Sequence, residues 1–135
     1  MAVESEKLTI NLGYVELAQI DVLVEQGIYS NRSDLIRTAV RKQIAADKSF
    51  LDQYLELSTG KNEQVKIIGV GMITKSFLEE FQEERKKIDI TNIGILTIGP
   101  KVTLDLFKET VGKVTVKGKL IASQEIKDFI DQMDV

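Results

Sequence analysis

The sequence predicts a mixed α and β chain in two parts: a strand–helix–helix unit that has to pair with a second copy of itself, then a small α/β domain with parallel strands. Three observations lead there. A short alternating segment, Lys7–Leu12, has no second strand near it in the chain. Two stripes of apolar residues at helical spacing follow it. After a polar run over residues 58–63, apolar segments of strand length alternate three times with helical ones.

In the opening segment, Leu8, Ile10 and Leu12 alternate with Lys7, Thr9 and Asn11, the period of a half-buried strand. Gly13 ends it and can serve as the N-cap of a helix from Tyr14 to Gln26, whose apolar positions are Leu17, Ile20, Leu23 and Val24. Gly27 stands where a helix C-terminal glycine belongs. The run Ser30-Asn31-Arg32-Ser33-Asp34 then reads as a helix start, with either Asn31 or Ser30 as the cap and Asp34 at capping-box spacing from Asn31. Leu35, Ile36, Ala39, Val40 and Ile44 form the stripe of this second helix, which continues or restarts through Phe50, Leu51, Tyr54 and Leu55. A lone strand of about six residues leaves its backbone groups without partners, and a core from so short a unit is marginal. Pairing with the same strand of a second chain removes both difficulties.

Composition limits the chemistry. With 43 % hydrophobic and 29 % charged residues the 135-residue chain is ordinary for a globular protein of one or two domains. It has no Cys and no His, which excludes disulfides, thiol chemistry, the usual zinc sites and histidine acid–base catalysis. No cofactor, no metal and no enzymatic activity are expected. No apolar run approaches the roughly 18 residues of a membrane span, and Met1–Glu6 is acidic with no signal core, so no membrane association and a cytoplasmic location are expected. The net charge is -3, with seven basic and nine acidic residues in 1–62 and eleven and twelve in 63–135. Duplex affinity comes mostly from Lys and Arg displacing counterions, so any DNA binding must come from local placement of charge.

The paired signatures Lys7–Leu12 and Gly27-Ile28-Tyr29-Ser30-Asn31-Arg32-Ser33-Asp34-Leu35-Ile36-Arg37, with a helix of the right length between them, resemble the ribbon-helix-helix family, the Arc and CopG type of repressor and antitoxin. The resemblance covers Lys7 to Ala46. It implies a bacterial, homodimeric transcriptional regulator, most simply a repressor, whose two N-terminal strands form an antiparallel ribbon that enters the major groove of double-stranded DNA. Carried over, the outward side chains Lys7, Thr9 and Asn11 would touch base edges, for which their donors and acceptors are suited. Asn31, Arg32 and Ser33, at the start of the second helix, would lie against a phosphate. Arg37, Arg41 and Lys42 lie on the polar side of that helix, where solvated charge is the commoner role. Glu4 and Glu6 flank the ribbon where the family more often has basic residues, and Gly13 stands where Ser, Asp or Pro is frequent.

The division expected is 1–57 for dimerisation and DNA binding, 58–63 as linker, and 64–135 as an α/β domain for oligomerisation or signal sensing. The last part reads as three strand-then-helix units: Val65–Ile73 with Phe77, Leu78 and Phe81; Ile88–Ile98 with Leu104, Phe107 and Val111; Val114–Ala122 with Ile126, Phe129, Ile130 and Met133. Thr74 or Ser76, Thr103 and Ser123 are the expected caps. Gly69, Gly94 and Gly118 recur 25 and 24 residues apart, each before a short apolar stretch and a helix. That favours a repeat-like α/β unit and a compact sandwich of ligand-binding type about equally. Glu79-Glu80 with Glu83-Glu84 reads as a solvated helix face, and Arg85-Lys86-Lys87 as a basic helix C-terminus. Besides a regulator, the sequence leaves open an antitoxin whose tail wraps a toxin, and an assembly protein that uses the ribbon without DNA. Pairing of dimers into tetramers and the identity of any effector stay open.

Overall fold

The structure, a computed structural model, describes residues 5–133. The chain divides into two compact units, Met1–Ser49 and Phe50–Val135.

In the first unit, α1 (Tyr14–Glu25) and α2 (Arg32–Ala46) stand where the apolar stripes place them. Gly13 is the N-cap of α1, and its carbonyl accepts the first helical bond, from the Leu17 N–H at 3.0 Å. At the other end Gly27 adopts φ 77°, the left-handed conformation that lets the Ile28 N–H reach back to the Leu23 carbonyl (3.1 Å) and the Gly27 N–H to that of Val24 (3.0 Å). Asn31, not Ser30, caps α2: its Oδ1 accepts the Asp34 N–H at 2.8 Å. Asp34 returns a bond from the other side, accepting the Ser30 N–H at 3.1 Å. The helix breaks at Asp47 and restarts as α3 (Lys48–Glu56), which runs across the division between the units.

Residues 7–12, expected as a strand, belong to neither helix nor sheet in the single chain. A ribbon strand is completed by hydrogen bonds from a partner strand, and the partner expected here is a second copy. Glu4, one of the two flanking acids, lies outside the described residues.

In the second unit, the parallel strands β1 (Glu63–Ile73), β2 (Ile88–Ile98) and β3 (Val111–Ile121) lie in the order β1-β2-β3 and alternate with α4 (Lys75–Glu84), α5 (Leu104–Thr110) and α6 (Gln124–Met133). Sequential parallel strands joined by crossovers of one hand place all their helices on one face. Accordingly Leu78 of α4, Leu106 and Phe107 of α5 and Ile126 and Ile130 of α6 form one buried cluster with Ile90, Leu96, Ile98 and Val114. Phe107 is fully enclosed and meets Phe129 edge-on at 6.1 Å between ring centroids. Burying side chains of this size stabilises by about 1.5–3 kcal/mol each. Asn92 lies in the same enclosed face and its amide makes no hydrogen bond, a cost of about 1–3 kcal/mol that this packing offsets.

Thr74, rather than Ser76, caps α4, and Thr103 and Ser123 cap α5 and α6. Val111, expected inside the second helix of this series, is instead the first residue of β3: α5 ends at Thr110, whose hydroxyl donates to the Leu106 carbonyl at 2.7 Å.

The glycine spacing turns out to be a register. Gly69, Gly94 and Gly118 lie side by side across the three strands with φ of 121°, 136° and 127°. A Cβ at Gly94 would collide with the Gly69 carbonyl oxygen, and one at Gly118 with that of Gly94. Only glycine satisfies both the conformation and the approach.

Candidate nucleic-acid interface

Lys7, Thr9 and Asn11 are all exposed, as base-reading side chains must be. So are the alternate residues that a ribbon would turn inward: Leu8 is 84 % and Ile10 51 % exposed. Val15, Val22, Leu23, Val40 and Ile44 on the helices and Ile28 in the turn between them are exposed as well. Ile20 is the one large apolar side chain of this unit that is buried among the described residues. The segment thus carries an apolar side and a polar side, and its own chain covers neither.

The α2 start is built more tightly than the sequence suggests, and its three expected phosphate contacts are not equivalent. The Asn31 side chain is committed to the cap. The Arg32 guanidinium grips Asp21 of α1 through two bonds of 2.8 Å, Nε to Oδ1 and Nη2 to Oδ2. That hydrogen-bonded pairing holds the Asp21 carboxyl below its usual range and raises the arginine. Ser33 is exposed. Of the first amide groups of the helix, that of Asp34 goes to the cap and that of Leu35 to the Asn31 carbonyl (3.3 Å). Those of Arg32 and Ser33 have no acceptor within the helix, at the positive end of its dipole. An anion here would be held by two backbone N–H groups and the Ser33 hydroxyl, with the Arg32 guanidinium beside it already paired to Asp21. Arg37, Arg41 and Lys42 are exposed along α2.

Asp21 is the residue that sequence reasoning missed. It lies eleven residues from Arg32 on a different helix, and no local pattern links the two. In the second unit, Arg85, Lys86 and Lys87 follow α4 as expected, but Lys86 is engaged with Glu84 (3.2 Å) and Glu63 (3.6 Å), which raise its pKa. The polar run after α3 is tied down too: Thr91 donates to Ser58 at 3.0 Å, and the Asn62 amide, with that of Gln64 in β1, donates to the buried Asp89 carboxylate, each at 3.0 Å.

The first unit thus sets exposed apolar side chains and a capped helix start beside an exposed segment of alternating apolar and polar residues. The model of the Ribbon-Helix-Helix transcriptional regulator family matches residues 3–127, and the chain belongs to that family. The match runs well past Ala46, so the α/β unit is part of what the family model describes. No curated protein and no solved structure matches the chain. The family makes the function one of transcriptional regulation. No helix among the described residues is long and apolar enough to cross a membrane.

Proposed function

We propose that the chain is a homodimeric, sequence-specific DNA-binding repressor whose paired Lys7–Leu12 segments form a β-ribbon in the major groove. Lys7, Thr9 and Asn11 face the bases, while Leu8, Ile10 and Leu12 close on the helices of both copies. Asn31 shapes the start of α2, and the Arg32 and Ser33 amides with the Ser33 hydroxyl hold a phosphate. Residues 1–57 carry dimerisation and DNA binding, 58–63 connect, and 64–135 regulate or assemble. The observation that carries this reading is the two-sided exposure of residues 7–12: apolar side chains no single chain covers, alternating with three polar ones suited to base edges.

Replacing Thr9 and Asn11 together by Ala tests it, with DNA selected from the source genome as ligand. Sedimentation should show the dimer unchanged. Specific affinity should fall by about 1–3 kcal/mol for each base-edge interaction removed, with non-specific affinity and its salt slope preserved. Unchanged specificity with an intact dimer would overturn the assignment of these residues.

A further inference from the structure

The sheet of the second unit has two faces, and its helices cover one. Along each strand, alternate residues face away from the helices, and the register sets them out as a grid. Near the strand starts this outer face is closed by the connector, through Ser58 on Thr91 and Asn62 on Asp89, with Gln64 of β1 bonded to the same carboxylate. Beyond it stand three rows: Ile68, Ile93 and Lys117; Val70, Ile95 and Lys119; Met72, Thr97 and Ile121. Val70 is 77 %, Met72 61 % and Ile68 48 % exposed, and none of the six apolar residues belongs to the buried cluster or packs against it. Purely parallel sheets occur almost only with both faces covered, because the strands carry apolar residues on both.

We infer that this face is covered by the same face of a second copy of the chain, sheet against sheet, about a two-fold axis lying along β2. The charge pattern selects that axis. A two-fold along the strands lays β2 on β2 of the partner, Ile93 and Ile95 each meeting its own copy, and β1 on β3, so that Ile68 and Val70 lie under the aliphatic stems of Lys117 and Lys119. A two-fold across the strands would instead set β3 on β3 and drive those lysines together. Area points to a copy already held nearby. Three strands by five residues span roughly 15 by 17 Å, about 250 Å² in projection, and even doubled for side-chain relief this falls short of the ~800 Å² per partner of a self-sufficient interface. Chains already joined elsewhere meet at roughly millimolar effective concentration, which a patch this small can use. The inference therefore rests on the dimeric reading of the first unit but not on DNA binding.

The absence of cysteine makes the test clean. Ile95→Cys places one thiol on the proposed axis, Ile93→Cys a second probe on the same line, and Asp105→Cys an exposed control on α5. A bismaleimide of about 8–10 Å reach, the separation of packed sheets, should join two Ile95→Cys chains about tenfold faster than two Asp105→Cys chains. Adding Val70→Glu to Ile95→Cys should abolish the advantage with DNA binding unchanged; the native mass stays at two chains where the facing copy belongs to the same dimer and falls from four to two where it belongs to the next. A native mass of two or of four chains tells whether the facing copy comes from the same dimer or the next, and either is consistent with the pairing. Rates at positions 93 and 95 no faster than at 105, in a protein that sediments as a dimer, overturn the pairing alone. A native mass of one chain overturns the dimeric reading along with it.

Discussion

The two units of this chain spend their apolar residues differently. In the second, side chains from three strands and three helices close on one another until Leu78, Ile88, Leu96 and Phe107 are fully enclosed. In the first, Ile20 is buried and Leu8, Ile10, Val40 and Ile44 stand at least half exposed. One unit carries its own core and the other carries half of one. On the dimeric reading proposed above, folding of the first unit is coupled to association, so its stability should vary with protein concentration.

The largest effect that would expose this difference comes from Ile10→Asp. In a single chain the position is open to solvent and the change costs little. In a ribbon dimer two carboxylates would be forced into the shared core at several kcal/mol apiece. At concentrations where the parent chain is dimeric, the variant should sediment as a monomer and lose the helical signal of α1 and α2, while the melting of the second unit stays put. A variant that remains dimeric with full helicity would show that the first unit does not depend on this side of the segment.

A smaller effect lies inside the self-contained unit. Gly94→Ala meets both the Gly69 carbonyl and a φ of 136°, so it should destabilise by roughly 3 kcal/mol or more, independent of protein concentration. Gly69→Ala shares the strained φ of 121° but no atom lies within 4 Å of its Cβ, so it should cost about 1–3 kcal/mol. Denaturant titration of the pair measures the collision by difference. Equal costs would mean that the sheet relaxes around the added methyl and that the glycine row is not held by close approach.

These contrasts explain what is legible in the sequence. The helices of both units, their caps and the three parallel strands are readable because each rests on a local signal: a stripe, a Thr or Asn before it, a glycine after it. Spacing alone does not decide between Ser30 and Asn31, since either fits, and geometry chooses Asn31. The end of α5 is misplaced at Val111 because a valine continues an apolar stripe as well as it opens a strand. The Asp21–Arg32 grip joins two helices and leaves no periodic trace. The glycine recurrence is visible as spacing, but its meaning needs the strand register. The outer sheet face is hidden for a related reason: Ile93 and Ile95 interleave with Asn92, Gly94 and Leu96, so β2 reads as a continuous buried run rather than as two faces.

The smallest test sets the same motif in the two units against itself. Both α1 and α4 end with a left-handed residue and paired return bonds: Ile28 to Leu23 and Gly27 to Val24 in one, Lys86 to Phe81 (2.9 Å) and Arg85 to Gln82 (3.1 Å) in the other. The first unit places glycine at the left-handed position, φ 77°, and the second places Arg85 there, φ 57°. A side chain in this conformation costs roughly 1 kcal/mol, which the enclosed unit absorbs. Arg85→Gly should therefore raise the stability of the second unit to denaturant by about 0.5–1 kcal/mol at any protein concentration. Gly27→Ala should lower the stability of the first by about 1 kcal/mol, read as a weaker dimer as much as a lower midpoint. If Gly27→Ala shifts the midpoint without touching the dimerisation constant, helix formation and association in the first unit are separable, and the half-core account of that unit fails.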